Sequence, residues 1–204
     1  RQRQMCIRDR RMTRVSLYLH YDQPLQEGEI AGYRSLIRRR LLREPIQYIT
    51  GVQEFWSLEF AVGPGVLIPR PESEVLVERA IHLCRGQLPP AAGRGPLILD
   101  LGTGSGALAV SVAYEIQDAV LWATDISPGA LRMAQANAER HGVQERIRFR
   151  SGDLWEPVAR EGLLFDLIMS NPPYVDSREF DSLPREIRDY EPRTALDGGS
   201  EGLD

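Results

Sequence analysis

Leu97-Ile98-Leu99-Asp100-Leu101-Gly102-Thr103-Gly104-Ser105-Gly106 is the stretch on which the fold turns. An apolar run of this length, closed by glycines, reads as a buried strand that runs into a tight turn. A helix is expected from about Ala107. Downstream the pattern repeats. Val120-Leu121-Trp122-Ala123-Thr124 is a second strand ending at Asp125, and Ser127-Pro128 opens a helix that reaches Arg140 and stops at Gly142. Ile147-Arg148-Phe149-Arg150 is a third strand, ending near Asp153. Phe165-Asp166-Leu167-Ile168-Met169-Ser170 is a fourth, cut off by Asn171-Pro172-Pro173-Tyr174, because two prolines cannot continue a ladder. Strands alternating with helices at this spacing predict an α/β fold with a parallel, doubly wound sheet.

Ligands of such sheets bind at the carboxyl ends of the strands, and the chemistry-bearing residues fall there. A glycine-rich strand-to-helix turn exposes backbone N–H groups to a ligand. Gly102-x-Gly104-x-x-Ala107 fits a permissive dinucleotide fingerprint, with Asp125 about twenty residues on, where a carboxylate grips a ribose diol. That much is shared by nicotinamide, flavin and S-adenosylmethionine sites. Asp100, just before the glycines, suits a cationic amino group better than a pyrophosphate. Asp153, after the third strand, can accept from an adenine amino group. Asn171-Pro172-Pro173-Tyr174 places a carboxamide, a carbonyl without a ladder partner and an aromatic ring at the fourth strand end. Two acceptors and a ring face suit an amide or amino nitrogen.

Upstream, Ile30, Tyr33, Ile37 and Leu41 recur at helical spacing, predicting a helix from Arg11 to about Arg43 that Glu44-Pro45 stops. Glu54 to Val62 reads as a strand, and Gly63-Pro64-Gly65 is expected to turn it onto Val66-Leu67-Ile68 as a hairpin. Ser73 or the neighbouring acids cap a helix to about Cys84, with Val75, Leu76, Ala80 and Leu83 expected inward. Gly86 to Gly95 reads as a surface linker.

Composition closes off several chemistries. All 25 basic residues are arginine, so lysine-base and Schiff-base catalysis are excluded. Cys6 and Cys84 are too few for a disulfide framework, and His20, His82 and His141 lack metal-ligand spacing, so no metal is expected. No run approaches the ~18 apolar residues of a membrane helix, and a cytoplasmic location is expected. Residues 1–43 hold eleven arginines against four acids, whereas residues 44–204 hold fourteen against twenty-five. A basic amino-terminal piece on an acidic body can steer an acidic or nucleic-acid-associated partner.

The Asp-Leu-Gly-Thr-Gly-Ser-Gly run, the acid ending the second strand and Asn-Pro-Pro-Tyr together resemble the Rossmann-like S-adenosylmethionine methyltransferases of amino groups. Asn-Pro-Pro-Tyr is common to adenine-N6 and glutamine-N5 enzymes. Glu44-Pro45-Ile46-Gln47-Tyr48-Ile49-Thr50-Gly51, Glu54-Phe55-Trp56 and Leu67-Ile68-Pro69-Arg70-Pro71-Glu72-Ser73-Glu74 resemble the bacterial release-factor glutamine methyltransferases. The related ribosomal-protein enzymes usually carry Arg-Ser-Pro where this chain has Arg70-Pro71-Glu72. The resemblance implies S-adenosyl-L-methionine held by Asp100, Gly102, Thr103, Gly104, Ser105, Gly106, Asp125, Asp153, Leu154 and Asn171. It implies a substrate amide at Asn171, Pro172, Pro173 and Tyr174, with Asn171, Pro172 and Tyr174 catalytic. The substrate implied is the Gly-Gly-Gln glutamine of class 1 peptide-chain release factors, gripped in part by the arginine-rich helical segment. Neither a nucleic-acid target nor a membrane is expected, and the protein is expected to be a monomer. The alternatives are an adenine-N6 nucleic-acid methyltransferase, disfavoured by the acidic body, and a cofactor-binding fragment without turnover.

The expected organisation is a non-native segment at 1–10 and a partial helical substrate-recognition domain at 11–50. A β-hairpin linker follows at 51–71, then the methyltransferase domain at 72–204. Because Gly198-Gly199-Ser200-Glu201-Gly202-Leu203-Asp204 lies inside a motif of that family, the sheet is expected to lack its carboxyl-terminal strands.

Overall fold

The computed structural model describes residues 15, 19, 24, 26–86 and 94–202. The expectations for residues 1–10, for most of 11–25 including His20, for Cys6 and for 87–93 of the linker lie outside them. Four parallel strands form the main sheet in the order β5-β4-β3-β6: β3 (Leu97–Leu101), β4 (Val120–Asp125), β5 (Ile147–Ser151) and β6 (Leu167–Ser170). Their registers run Leu97↔Val120, Leu121↔Ile147 and Ile98↔Leu167. The doubly wound reading therefore stands.

Side-chain alternation divides the two faces of the sheet. Ile98, Leu121, Ala123, Ile147 and Met169 point into the main core, against α3 (Glu74–Gly86), α4 (Ala107–Glu115) and α5 (Pro128–Arg140). Leu97, Leu99, Leu101 and Trp122 point the other way, where Val158, Leu163 and Phe165 cover them. On that side Arg148 and Arg150 lay their guanidinium groups over the Trp122 ring, at 5.4 and 4.7 Å. The steps β3-α4-β4 and β4-α5-β5 go the same way, and right-handed crossovers then put both helices on one face. The return from β5 to β6 passes over the other. That reversal, beside β3, opens a crevice at the carboxyl edge.

Several local expectations are corrected. The helix predicted over 11–43 is α1 (Glu27–Leu41) among the described residues, with Val15 and Leu19 also helical. Glu29 caps it by accepting from the Gln26 N–H at 2.8 Å, and Arg43 ends it at φ 74°. The segment after the Glu44-Pro45 stop, for which the pattern gives no helix, makes α2 (Ile46–Thr50). The hairpin lies earlier than expected: β1 (Val52–Phe55) pairs antiparallel with β2 (Leu58–Ala61), and Trp56-Ser57 makes the two-residue turn. Both turn residues have positive φ, the geometry that matches strand twist but that Asn-Gly usually signals. Here tertiary contacts hold it, for Glu74 accepts from the Trp56 backbone N–H and Glu115 from its indole, at 2.9 and 3.0 Å. Val66–Ile68 is accordingly an irregular loop. On α3, Val75 faces solvent and Val77, Ala80 and Ile81 face the core, a shift of the inward stripe. Finally, β6 begins at Leu167; just before it Asp166 is tied to Leu97 twice, its N–H donating to Leu97 O at 2.8 Å and its carboxylate accepting from the Leu97 N–H at 2.7 Å.

Candidate active site

Parallel strands end at one edge, so the turns that follow β3, β4, β5 and β6 converge. They enclose a cleft of about 170 Å³. Gly102, Gly104, Asp125, Asp153, Leu154, Asn171, Pro172 and Pro173 line it, which brings together eight of the residues singled out from the sequence. Gly65, Val66 and Leu67 wall it from the loop after the hairpin, and Pro192, Thr194 and Ala195 from the opposite lip.

Gly102 and Gly104 both adopt left-handed φ, 68° and 58°, and a Cβ on either would meet nothing within 4 Å. The backbone itself therefore forms the cradle, and a side chain there would be strained and would intrude on it. Asp125 at the end of β4 secures the turn: its Oδ2 accepts from the Gly104 N–H and its Oδ1 from the Ser127 N–H, both at 2.8 Å. Each oxygen keeps a second lone pair for a ligand hydroxyl.

Asp100 behaves differently from the expectation. It is 0% exposed and lies behind the glycine turn, off the cleft wall. Its Oδ2 accepts from the Thr103 hydroxyl at 2.6 Å, and its Oδ1 is buried without a hydrogen-bond partner of good geometry. Burial pushes its carboxyl up to about 7, against the pull of the Thr103 hydroxyl. As the next-to-last residue of β3, Asp100 shares the face of Ile98, towards the helices, because side chains alternate along a strand. Thr103, Ser105 and Gly106 are likewise buried off the wall.

Leu154 sits at φ 42°, and its carbonyl accepts from the Thr124 hydroxyl at 2.6 Å. It is half exposed, as is Ile126 beside Asp125, and the two offer apolar surface across the cleft. Asp153 stands exposed at this lip.

Asn171 is half-buried, and its Nδ2 donates to the Ser73 hydroxyl at 3.2 Å, which leaves Oδ1 free to accept. Among the described residues no donor is bonded to the Pro172 carbonyl. Tyr174 is 67% exposed and its ring does not line the cleft. The loop is seated from outside. The Val175 N–H donates to Leu196 O at 2.8 Å and the Gly198 N–H to Val175 O at 2.9 Å. A Cβ at Gly198 would approach Pro173 O to 2.7 Å, and one at Gly202 would approach Tyr174 O to 2.6 Å. Only glycine allows this fit.

The two lips are tied together by residues that the sequence reading did not assign to the site. Glu191 accepts from the Arg70 guanidinium at 2.6 Å and from the Ile68 N–H at 3.1 Å. The Tyr48 hydroxyl donates to Val66 O, and burial with Glu191 nearby pushes its phenol well above the ordinary range. Arg70 and Ser73 lay in a quoted motif; Glu191-Pro192 carried no sequence signal.

Residues 81–187 match the family model of the methyltransferase small domain, and residues 11–51 match that of the PrmC N-terminal domain. A release factor glutamine methyltransferase of Geobacter sulfurreducens is 48% identical over 193 residues, covering 95% of this chain and 64% of that protein. The enzyme of the same name from Koribacter versatilis is 44% identical over 191 residues, covering 94% and 65%. That from Bordetella pertussis is 42% identical over 191 residues, covering 94% and 67%. The chain thus spans just under two thirds of the first two relatives.

Proposed function

Because the chain belongs to the release factor glutamine methyltransferase family, built on the methyltransferase small domain, we propose that the whole protein methylates a glutamine side-chain amide. The methyl donor is S-adenosyl-L-methionine. The acceptor is N5 of the Gly-Gly-Gln glutamine in class 1 peptide-chain release factors. The observation that carries this reading is that the glycine turn, the Asp125 carboxylate, Asn171 and Pro172 line one and the same cleft.

The residues present fit the cofactor. Gly102 and Gly104 offer backbone with open space before it, Asp125 offers two oriented acceptors for a ribose diol, and Leu154 and Ile126 flank a planar base. When bound, S-adenosylmethionine supplies an electrophilic methyl group on its sulfonium. Asp100, Thr103, Ser105 and Gly106 serve the turn from behind. Asp153 can accept an amino group at the lip.

Asn171 Oδ1 and the Pro172 carbonyl accept the two hydrogens of the target amide. An amide nitrogen is a poor nucleophile because its lone pair is delocalised into the carbonyl. Two fixed acceptors favour the arrangement in which that lone pair points at the reacting carbon, and such positioning is worth roughly several kcal/mol. In one displacement the amide nitrogen would gain the methyl as the methyl's bond to the sulfonium sulfur breaks, with S-adenosylhomocysteine as the leaving group. The nitrogen would then release a proton to solvent. Pro173 shapes the loop, and Tyr174 borders the approach of the protein substrate.

We further infer the unit boundaries 11–50, 51–71 and 72–204, and a cytoplasmic monomer without a nucleic-acid target. The acidic body, with fourteen arginines against twenty-five acids over residues 44–204, supports the last point. Among the described residues no helix is long and apolar enough to cross a membrane. Mass spectrometry of a purified release factor, after incubation with the whole protein and S-adenosylmethionine, tests the reading. One added methyl on the Gly-Gly-Gln glutamine is expected; an unmodified glutamine, or methylated adenine in duplex DNA, overturns it.

A further inference from the structure

We infer that Ser73 is a positioning residue for methyl transfer, holding the Asn171 carboxamide so that its oxygen is presented to the acceptor amide. The inference rests on the functional reading above and adds a residue that the cleft wall does not include. An asparagine amide is nearly symmetric in shape but opposite in hydrogen bonding at its two ends, and its χ2 rotation is broad. Only conformations with Oδ1 towards the cleft can accept from an incoming amide. A partner at the other end of the carboxamide removes most of the unproductive ones before substrate arrives.

Ser73 is that partner, through the 3.2 Å hydrogen bond from Asn171 Nδ2 to its Oγ. The backbone that carries this hydroxyl is itself held. Ser73 ends a single helical turn, Pro71–Ser73, and its N–H donates to Arg70 O at 3.0 Å. Arg70 is held by the buried Glu191, and α3 continues directly from Glu74 with Val77 buried in the main core. Asn171 therefore reaches from the end of β6 to a hydroxyl set by a different element, so the hydrogen bond ties the acceptor site to α3. A hydroxyl can also donate, so the same contact would survive a carboxylate at position 171.

The test uses the whole protein and compares S73A, S73T, N171A and the S73A/N171A double variant on the release-factor glutamine. S73A is expected to lower kcat about threefold to tenfold, the effect of one ordinary hydrogen bond, with S-adenosylhomocysteine affinity unchanged. S73T, which keeps the hydroxyl, restores the rate. In the N171A background S73A has no further effect, because the two residues act as one unit. Equal loss in both backgrounds, a wild-type rate in S73A, or a parallel fall in cofactor affinity overturns the inference. The Asn171 side-chain amide signals in an NMR spectrum give a readout independent of substrate. They should move towards free-asparagine values in S73A and return in S73T, and signals unmoved by S73A refute the contact. Failure of the wild-type protein to methylate glutamine would instead defeat the functional reading, and the amide signals would still decide Ser73.

Discussion

Replacing Arg70 with alanine leaves the Glu191 carboxylate without its cation. Glu191's side chain is 1% exposed and Arg70's is 28% exposed, so the two ends of this pair respond differently to truncation. Removing one partner of a buried pair costs ~3–5 kcal/mol, chiefly as the penalty on the charge left behind. The lower end applies to Arg70→Ala, about 3 kcal/mol, because the Ile68 N–H still donates to the carboxylate. Glu191→Ala leaves an arginine that can turn to water, but it orphans the Ile68 N–H at ~1–3 kcal/mol. Glu191→Gln keeps an acceptor and should cost about 1 kcal/mol. In a chain of this size, 3 kcal/mol lowers the melting temperature by roughly 6–12 °C. Urea unfolding followed by tryptophan fluorescence, at unchanged slope, measures all three. Leu67 and Pro192 flank the clasp on opposite lips of the cleft, so S-adenosylhomocysteine affinity should fall with stability across the series. If Arg70→Ala lies within about 0.5 kcal/mol of wild type, or Glu191→Gln costs more than Arg70→Ala, the argument from burial is wrong.

Asp125→Ala removes both oriented acceptors at the end of β4. It should weaken S-adenosylhomocysteine binding by ~1.5–3 kcal/mol in calorimetry, and tighter binding of NAD by the wild type would contradict the cofactor assignment. Asn171→Ala should cut methyl transfer roughly a hundredfold to a thousandfold, by analogy with the loss of one fixed oxyanion donor, far more than it cuts cofactor affinity. Equal losses in both would remove Asn171 from the chemistry. Asp100→Asn tests the buried carboxyl. Its folded pKa of about 7 lies above the usual carboxylate value, so the folded state binds the extra proton. The stability contributed by this group is then fullest below about pH 4 and is lost as pH rises towards 7, on the order of 1.4 kcal/mol per unit. The melting temperature of Asp100→Asn relative to wild type should climb over that window and level off above it. A difference independent of pH would show that Asp100 titrates normally.

The sheet was legible because its strands are apolar runs closed by glycine, aspartate or proline, and local pattern suffices for those. Leu97–Leu101 and Val120–Thr124 needed no knowledge of their neighbours. The hairpin was misplaced because Trp56 and Ser57 carry no turn signal, and carboxylates distant in sequence, Glu74 and Glu115, hold them. Asp125 and Asn171, read from the sequence as strand-end residues, both line the cleft, because strand ends are where side chains leave the sheet. Asp100, read from the same rule as suited to a cationic amino group, lies within β3 and is buried off the cleft wall. Glu191 was out of reach. Its role depends on meeting Arg70 across a separation of 121 residues, which no local pattern encodes.

The seam between Val175 and Gly198 has a consequence for how this site could change. The chain leaves the sheet after Asn171, wanders from Asp176 to Leu196 and returns to bond at the point of departure. The bonds that join Val175 to Leu196 and Gly198 are backbone to backbone, with glycine at the tight places. Asp197 adds side-chain bonds to Ser177 and the Gly199 N–H, so side chains elsewhere in the excursion can vary without disturbing the seam. Lengthening the excursion costs only the logarithm of its size. Substrate preference can therefore drift in this closed cassette while the acceptor pair stays at a fixed address, provided the glutamate that clasps Arg70 is kept.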